Sequence, residues 1–210
     1  MFTITTLTIS FLIALSCKIK KVKAPLLEGL LWYVHLVLLF FSVISVLLLV
    51  NDYGFKGIRT ERVFLSLYAG TGMILYGLSK GVVNARQFYL LCFFSTPFIL
   101  LFGIVFPPLK MLTVVIGITL LADGNQHRYR IDDDFSLQTS SLGIFSPHPE
   151  YALVEDKYWF FEKVTGPVID YPVIPKTVSA AKTATDSVHI SISPGNAPVE
   201  KMDTTIALRR

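Results

Sequence analysis

Long apolar runs fill most of this chain up to Leu121, and only short loops rich in Lys and Arg interrupt them. Soluble domains of ordinary composition place apolar residues with helical or strand periods, whereas these runs are nearly continuous. Hydrophobic residues make up 52% of the 210-residue sequence. The chain is therefore predicted to be a multi-pass membrane protein, and this excludes most classes of soluble enzyme.

Four apolar segments have lengths close to that of a membrane-spanning helix. They are Phe2–Cys17, Leu26–Val50, Val63–Gly77 and Phe88–Phe106. Pro25 suits the first turn of the second helix, where its missing N–H has no consequence. Pro107 and Pro108 should end the fourth helix, because consecutive proline rings remove donors and clash with the preceding turn. Residues 1–106 are thus predicted as a domain of about four transmembrane helices.

The charges of the loops predict an orientation. Six Lys and Arg residues follow the first and third spans, namely Lys18, Lys20, Lys21, Lys23, Lys80 and Arg86. The middle loop has three, namely Lys56, Arg59 and Arg62. Because positive loops stay in the cytoplasm, the N-terminus and the C-terminal domain are predicted on the outer, periplasmic face of the plasma (inner) membrane. The lysine cluster after the first span also admits a site for anionic lipid.

Small residues form a stripe along the third span. Ser66, Gly70, Gly77 and Gly81 recur at spacings that place them on one helical face. Small side chains let the backbones of two membrane helices approach closely. This face is predicted to pack against another helix, either of the same chain or of a second subunit.

Residues 107–165 are predicted to form a small antiparallel β-rich domain. The β-branched segment 111–121 is short, which suits a buried strand better than a fifth span; a fifth span would move this domain to the cytoplasm. From Tyr129 to Leu137 apolar residues alternate with polar ones, as in a half-buried strand. Four consecutive aromatic residues should form either sheet core or an anchor at the membrane interface. They are Tyr158, Trp159, Phe160 and Phe161.

Residues 166–210 have a different character. Proline-containing extended sequence is followed by a segment rich in Thr, Ser and Ala. Such a composition predicts an extended or disordered tail, which would become ordered on a partner.

The sequence contains few residues with catalytic potential. His35 lies alone in the second span, so it is predicted as a packing or hydrogen-bonding residue, or as a site for a proton or ligand. Cys17 and Cys92 lie in apolar runs and are predicted to be buried apolar side chains. No metal-ligand spacing, phosphate-binding loop or activated nucleophile is evident, so no catalytic, metal or cofactor site is predicted.

These patterns predict a non-enzymatic accessory or structural subunit of a bacterial cell-envelope complex. Its partners would be the lipid bilayer and other membrane or envelope subunits, and no nucleic acid, since no basic stripe with interleaved aromatics is present. In general style, with Phe-rich spans followed by short hairpins, the chain resembles bacterial envelope proteins. One alternative is a homo-oligomeric pore or effector with a sensing C-terminal domain. Another is a small membrane enzyme that acts on lipid near Asp52, Glu61 and Arg62.

Overall fold

The computed structural model describes residues 2–79, 84–121, 128–139, 150–170, 175–184, 187–194 and 202–207. Helices come first and strands follow, with one exception. The helices are α1 (Phe2–Ile19), α2 (Pro25–Val50), α3 (Thr60–Leu78), α4 (Ala85–Val105) and α5 (Pro107–Leu121). The chain divides into a helical unit, Met1–Leu47 with Arg59–Gly124, and a β unit, Leu48–Ile58 with Asn125–Arg210.

Three helices, α1, α2 and α4, are long and apolar enough to cross a membrane, by length and composition. The helix α3 has 19 residues but is less apolar, because it begins with Thr60, Glu61 and Arg62 and contains several glycines. All four apolar segments identified in the sequence are thus helical. Three of them meet the requirements of a span, and the crossing of α3 stays a prediction.

The segment after Phe106 is a helix, and the prediction of a buried strand over residues 111–121 was wrong. Pro107 and Pro108 occupy the first turn of α5, a position where proline is favourable. A strand in apolar surroundings would need a neighbour for its backbone groups, whereas a helix pairs them internally. Thr113 of α5 lies directly against Gly103 of α4. The helical unit therefore continues beyond residue 106.

The β unit contains two antiparallel sheets. Its strands are β1 (Tyr53–Phe55), β2 (Arg128–Arg130), β3 (Phe135–Thr139), β4 (Glu150–Asp156), β5 (Phe161–Asp170), β6 (Pro175–Ala184), β7 (Ser187–Pro194) and β8 (Met202–Ala207). The first sheet has the order β1-β5-β4-β3-β2 and the second has the order β6-β7-β8. Side chains of both sheets meet in one core of Leu137, Tyr151, Leu153, Ile169, Val188, Ile190 and Ile192.

The strand predicted around Tyr129–Leu137 is a hairpin of β2 and β3. The Asp132 carboxylate accepts hydrogen bonds from the backbone N–H groups of Asp134 (2.9 Å) and Phe135 (2.7 Å), and so closes the turn. Burial alone would raise the pKa of Asp132, but Lys182 and these two donors outweigh it and hold this pKa below its usual value. The predicted apolar face does meet the core, where Leu137 is buried and Tyr129 packs against it.

The region predicted as an extended or disordered tail contains the whole second sheet. Alternate residues of β7, namely Val188, Ile190 and Ile192, are fully buried in the shared core. The composition is poor in large apolar residues, but those of β7 have strand spacing and lie on one face. The described strands of this region are thus part of a folded β unit.

One strand of the β unit comes from the loop between α2 and α3. In this strand, β1, Tyr53 is paired with Lys163 of β5, and Phe55 is paired with Phe161. The N–H of Lys56 also donates to the carbonyl of Phe160 at 2.9 Å. A loop between two helices is therefore an edge strand of a sheet whose other strands follow Asn125 in the sequence.

Candidate functional site

The small-residue face of α3 lies against α1. A Cβ atom at Gly70 would come within 2.6 Å of the Ser10 hydroxyl oxygen, and one at Gly77 within 2.6 Å of the Ala14 Cα. Ser66 is buried on the same helix, and Gly81 lies outside the described residues. Contacts at Gly77 are with the backbone of Ala14, so this position admits only glycine without displacement of α1.

His35 is completely buried, and both of its ring nitrogens are hydrogen-bonded. Nδ1 lies 2.9 Å from the Thr71 hydroxyl and Nε2 lies 2.7 Å from the Tyr89 hydroxyl. The Tyr89 hydroxyl in turn lies 2.6 Å from that of Tyr68. One side chain of α2 is thereby linked to two residues of α3 and one of α4.

The directions of these hydrogen bonds follow from one fixed donor. Thr71 donates its proton to the Tyr68 carbonyl at 3.0 Å, so its oxygen accepts from His35 Nδ1–H. With His35 as a neutral imidazole, Nε2 is then an acceptor for Tyr89, and Tyr89 accepts from the Tyr68 hydroxyl. The chain of bonds begins at the side chain of Tyr68 and returns to its main chain. Such a closed, satisfied network holds the helices together.

Aromatic rings enclose this network. The His35 ring stacks on Tyr68 at 4.6 Å between centroids and meets the ring of Phe93 edge-on at 5.6 Å. Gly72 permits the approach, since a Cβ there would lie 2.7 Å from the Phe93 ring and 3.2 Å from His35 Cε1. The enclosure excludes water, and the arrangement is that of a rigid interhelical contact.

The Tyr89→Phe variant should lower the free energy of unfolding of the helical unit by about 1–2 kcal/mol, because it removes the donor to His35 and the acceptor for Tyr68. Titration of the purified chain with SDS in mixed micelles measures this loss. Tyr33→Phe is the matched control, since Tyr33 lies on α2 with 72% of its surface exposed. Equal losses in the two variants would show that the network does not stabilise the helices.

A buried ion pair joins three strands of the β unit. Arg128 donates to both carboxylate oxygens of Glu162, at 2.9 Å and 2.7 Å, and to the Gln138 side chain at 2.7 Å. Only 4% of Glu162 is exposed. The N–H of Gly57, just after β1, also donates to this carboxylate at 3.4 Å. This pair therefore connects the α2–α3 loop with β2 and β3.

A neighbouring cavity of about 390 Å³ is lined largely by charged side chains. Three of the four aspartates in its lining have described cationic partners: Lys56 lies 2.5 Å from Asp156, Lys182 lies 3.0 Å from Asp132, and Arg130 pairs with Asp133. Within the described parts of the chain, no three His, Cys, Asp or Glu side chains are grouped to hold a metal ion. The cavity surface is thus a network of ion pairs.

Three of the four consecutive aromatic residues lie on the turn between β4 and β5. Tyr158, Trp159 and Phe160 are exposed, Trp159 by 89% of its surface. Phe161 begins β5 and packs on Phe55 at 5.6 Å between ring centroids. The first three are therefore outside the sheet core, and their contact with the membrane interface stays a prediction.

Several residues of these contacts were missed in the sequence. Tyr68, Thr71 and Tyr89 are polar groups in apolar helices, which was an available signal of a buried network. Ser10 and Ala14 are small residues four positions apart on α1, the same spacing that identified the face of α3. The cysteines were predicted to be buried, whereas Cys17 is half-buried and Cys92 is exposed.

This chain matches no protein-family model, no curated protein and no solved structure. Its function therefore has to be argued from its own residues.

Proposed function

We propose that this chain is a non-enzymatic accessory subunit of a protein complex in a bacterial inner membrane. Its helices would anchor it in the bilayer, and its β unit would bind another subunit. The observation that carries the proposal is the outer edge of β8, to which no described strand is paired.

The sequence of β8 lacks the usual protection of an edge strand. Its six residues, Met202–Ala207, include no Lys, Arg or Pro, and Asp203 is the one charged residue. Unpaired N–H and C=O groups on such an edge are a template for a strand from another chain. On its other side β8 pairs with β7, whose alternate side chains lie in the core, so the backbone of β8 is held in an extended conformation that suits such pairing.

The connectivity of the first sheet supports the proposed anchoring. β1 and β5 belong to one sheet, so the α2–α3 loop and the β unit lie on the same side of the membrane. An even number of the helices α3, α4 and α5 must then cross the bilayer. The 15 residues of α5 extend about 22 Å, less than the roughly 30 Å of the hydrocarbon core. We therefore assign the crossings to α3 and α4.

This assignment agrees with the charges of the loops. The α1–α2 loop, with Lys18–Lys23, and the α3–α4 loop, with Lys80 and Arg86, would both face the cytoplasm. The β unit and the N-terminus would then lie on the periplasmic face. In that position the β8 edge is available to an envelope protein.

The experiment is purification of the tagged full chain in mild detergent, with mass spectrometry of the proteins that accompany it. We expect a stoichiometric partner that is lost in the Thr205→Lys variant, because an exposed lysine on an edge strand opposes further pairing. The matched control is Thr165→Lys, which adds the same charge to an exposed position of β5 that is paired with Leu153 of β4. This control should retain the partner.

Recovery of the chain alone, or equal retention by the two lysine variants, would contradict the proposal. A purified homo-oligomer that releases dye from liposomes would favour the alternative function, a homo-oligomeric membrane pore. Deletion of residues 176–210 is not a suitable test, since it removes the core residues Val188, Ile190 and Ile192.

A further inference from the structure

A basic cavity lies where α1 and α3 end. Its volume is about 330 Å³, and one wall is the end of α3, Gly77–Ser79. The opposite wall is formed by Cys17 and by the loop after α1, with three lysines in its lining. They are Lys18, Lys21 and Lys23. The helix α1 is apolar enough to cross a membrane, and the cavity at its end would then lie at the membrane–water boundary.

The backbone of this loop positions Lys21 in a conformation that favours glycine. Its φ angle is 49°, in the left-handed region. The N–H of Val22 donates to the Cys17 carbonyl at 3.1 Å, and that of Lys21 to the Lys18 carbonyl at 3.4 Å. This is the hydrogen-bond pattern with which glycine usually ends a helix. In this conformation a lysine is less stable than a glycine would be. The retention of lysine here therefore indicates a function for its side chain.

The positive charge in the cavity is uncompensated. Its described lining contains no carboxylate, and neither Lys21 nor Lys23 forms an ion pair with any residue that the structure describes. Carbonyls at the ends of α1 and α3 would repel an anion. However, the Ser79 carbonyl accepts from the Lys18 ammonium at 3.3 Å, and the carbonyls of Cys17 and Lys18 accept the bonds that end α1. The cavity is therefore suited to an anion.

Apolar surface continues from the cavity along α1. Ile13 and Ile9 lie one and two helical turns before the cavity-lining Cys17 on the same stripe of α1, and 42% and 52% of their surfaces are exposed. A ligand with an anionic group and hydrocarbon chains would satisfy both the lysines and this surface. We propose that the cavity binds the phosphate group of an anionic phospholipid, with the acyl chains along α1.

Native mass spectrometry of the full chain in mild detergent tests this site, with phosphatidylglycerol, phosphatidylcholine and inorganic phosphate as separate probes. We expect phosphatidylglycerol to bind more tightly than phosphatidylcholine. The variants Lys21→Gly and Lys23→Ala should each lower the affinity for phosphatidylglycerol about fivefold. The control Lys20→Ala removes the same charge from a residue outside the cavity lining. This variant should bind phosphatidylglycerol with unchanged affinity.

The variant Lys21→Gly also separates binding from folding. It should raise the thermal unfolding midpoint of the lipid-free chain, because glycine adopts the left-handed conformation readily. Equal losses of phosphatidylglycerol affinity in Lys20→Ala and Lys21→Gly would show that the lipid is attracted by the overall positive charge of the loop. That result would contradict the proposed site. Equal affinities for the two lipids would also overturn it. Displacement of the lipid by inorganic phosphate at similar concentration would assign the site to free phosphate instead.

Discussion

The Gly77→Ala variant should lower the free energy of unfolding of the helical unit by about 3 kcal/mol. A methyl group at this position would meet the backbone of Ala14, with its Cα at 2.6 Å. Backbone atoms cannot rotate away, so α1 must shift and lose its contacts along α3. Reversible unfolding in mixed micelles of SDS and a mild detergent measures the change.

Two other glycines give this prediction its controls. Gly29→Ala on α2 introduces a Cβ with nothing within 4 Å, so we expect a gain of up to about 1 kcal/mol. Gly70→Ala should be intermediate, because the close atom is the Ser10 hydroxyl oxygen, which can rotate. A similar loss in Gly29→Ala and Gly77→Ala would show that α1 does not occupy this face of α3.

The Glu162→Gln variant should destabilise the β unit by about 3 kcal/mol, since it leaves the Arg128 guanidinium largely buried without its counter-charge. The Arg128 Nε atom is already buried with no described hydrogen-bond partner. Pulse proteolysis of the full chain in urea measures cleavage within the β unit. The shift in the urea midpoint of unfolding gives the loss in the free energy of unfolding of the β unit.

An exposed ion pair in the same sheet is the control. Glu155 lies 3.2 Å from Lys157 at the surface, and Glu155→Gln should change stability by less than about 0.5 kcal/mol. The double variant Arg128→Met with Glu162→Leu should recover most of the loss, because it removes both buried charges. If the double variant is less stable than Glu162→Gln alone, the loss does not come from an unpaired charge.

The helical part of the fold could be predicted closely from sequence. The apolar segment Leu26–Val50 corresponds to α2, Pro25–Val50, and the segment Phe88–Phe106 corresponds to α4, Ala85–Val105. Long apolar runs satisfy their backbone groups only as helices in an apolar medium, so local composition is sufficient. A strand was wrongly predicted for residues 111–121 because β-branched side chains favour strands locally. Prolines at the start of α5 were the stronger signal.

The candidate sites could be predicted only in part. The stripe of Ser66, Gly70 and Gly77 was visible because it has a helical period within one segment. The partners of His35 were not, since Thr71 and Tyr89 lie on other helices, 36 and 54 positions away in the chain. Periodicity identifies a polar residue in an apolar helix but gives no information on which neighbours it meets.

The sequence by itself determined the helical N-terminal region, the antiparallel character of the C-terminal region and the apolar face around Leu137, because each follows from the spacing of residues close in the chain. The tertiary structure alone decided that Tyr53–Phe55 joins β5, that β7 completes the β core, and that His35 closes a network among three helices. Strand pairing and buried hydrogen bonds depend on groups far apart in sequence. Their geometry exists only after the chain has folded, when the loss of water makes each unpaired polar group costly.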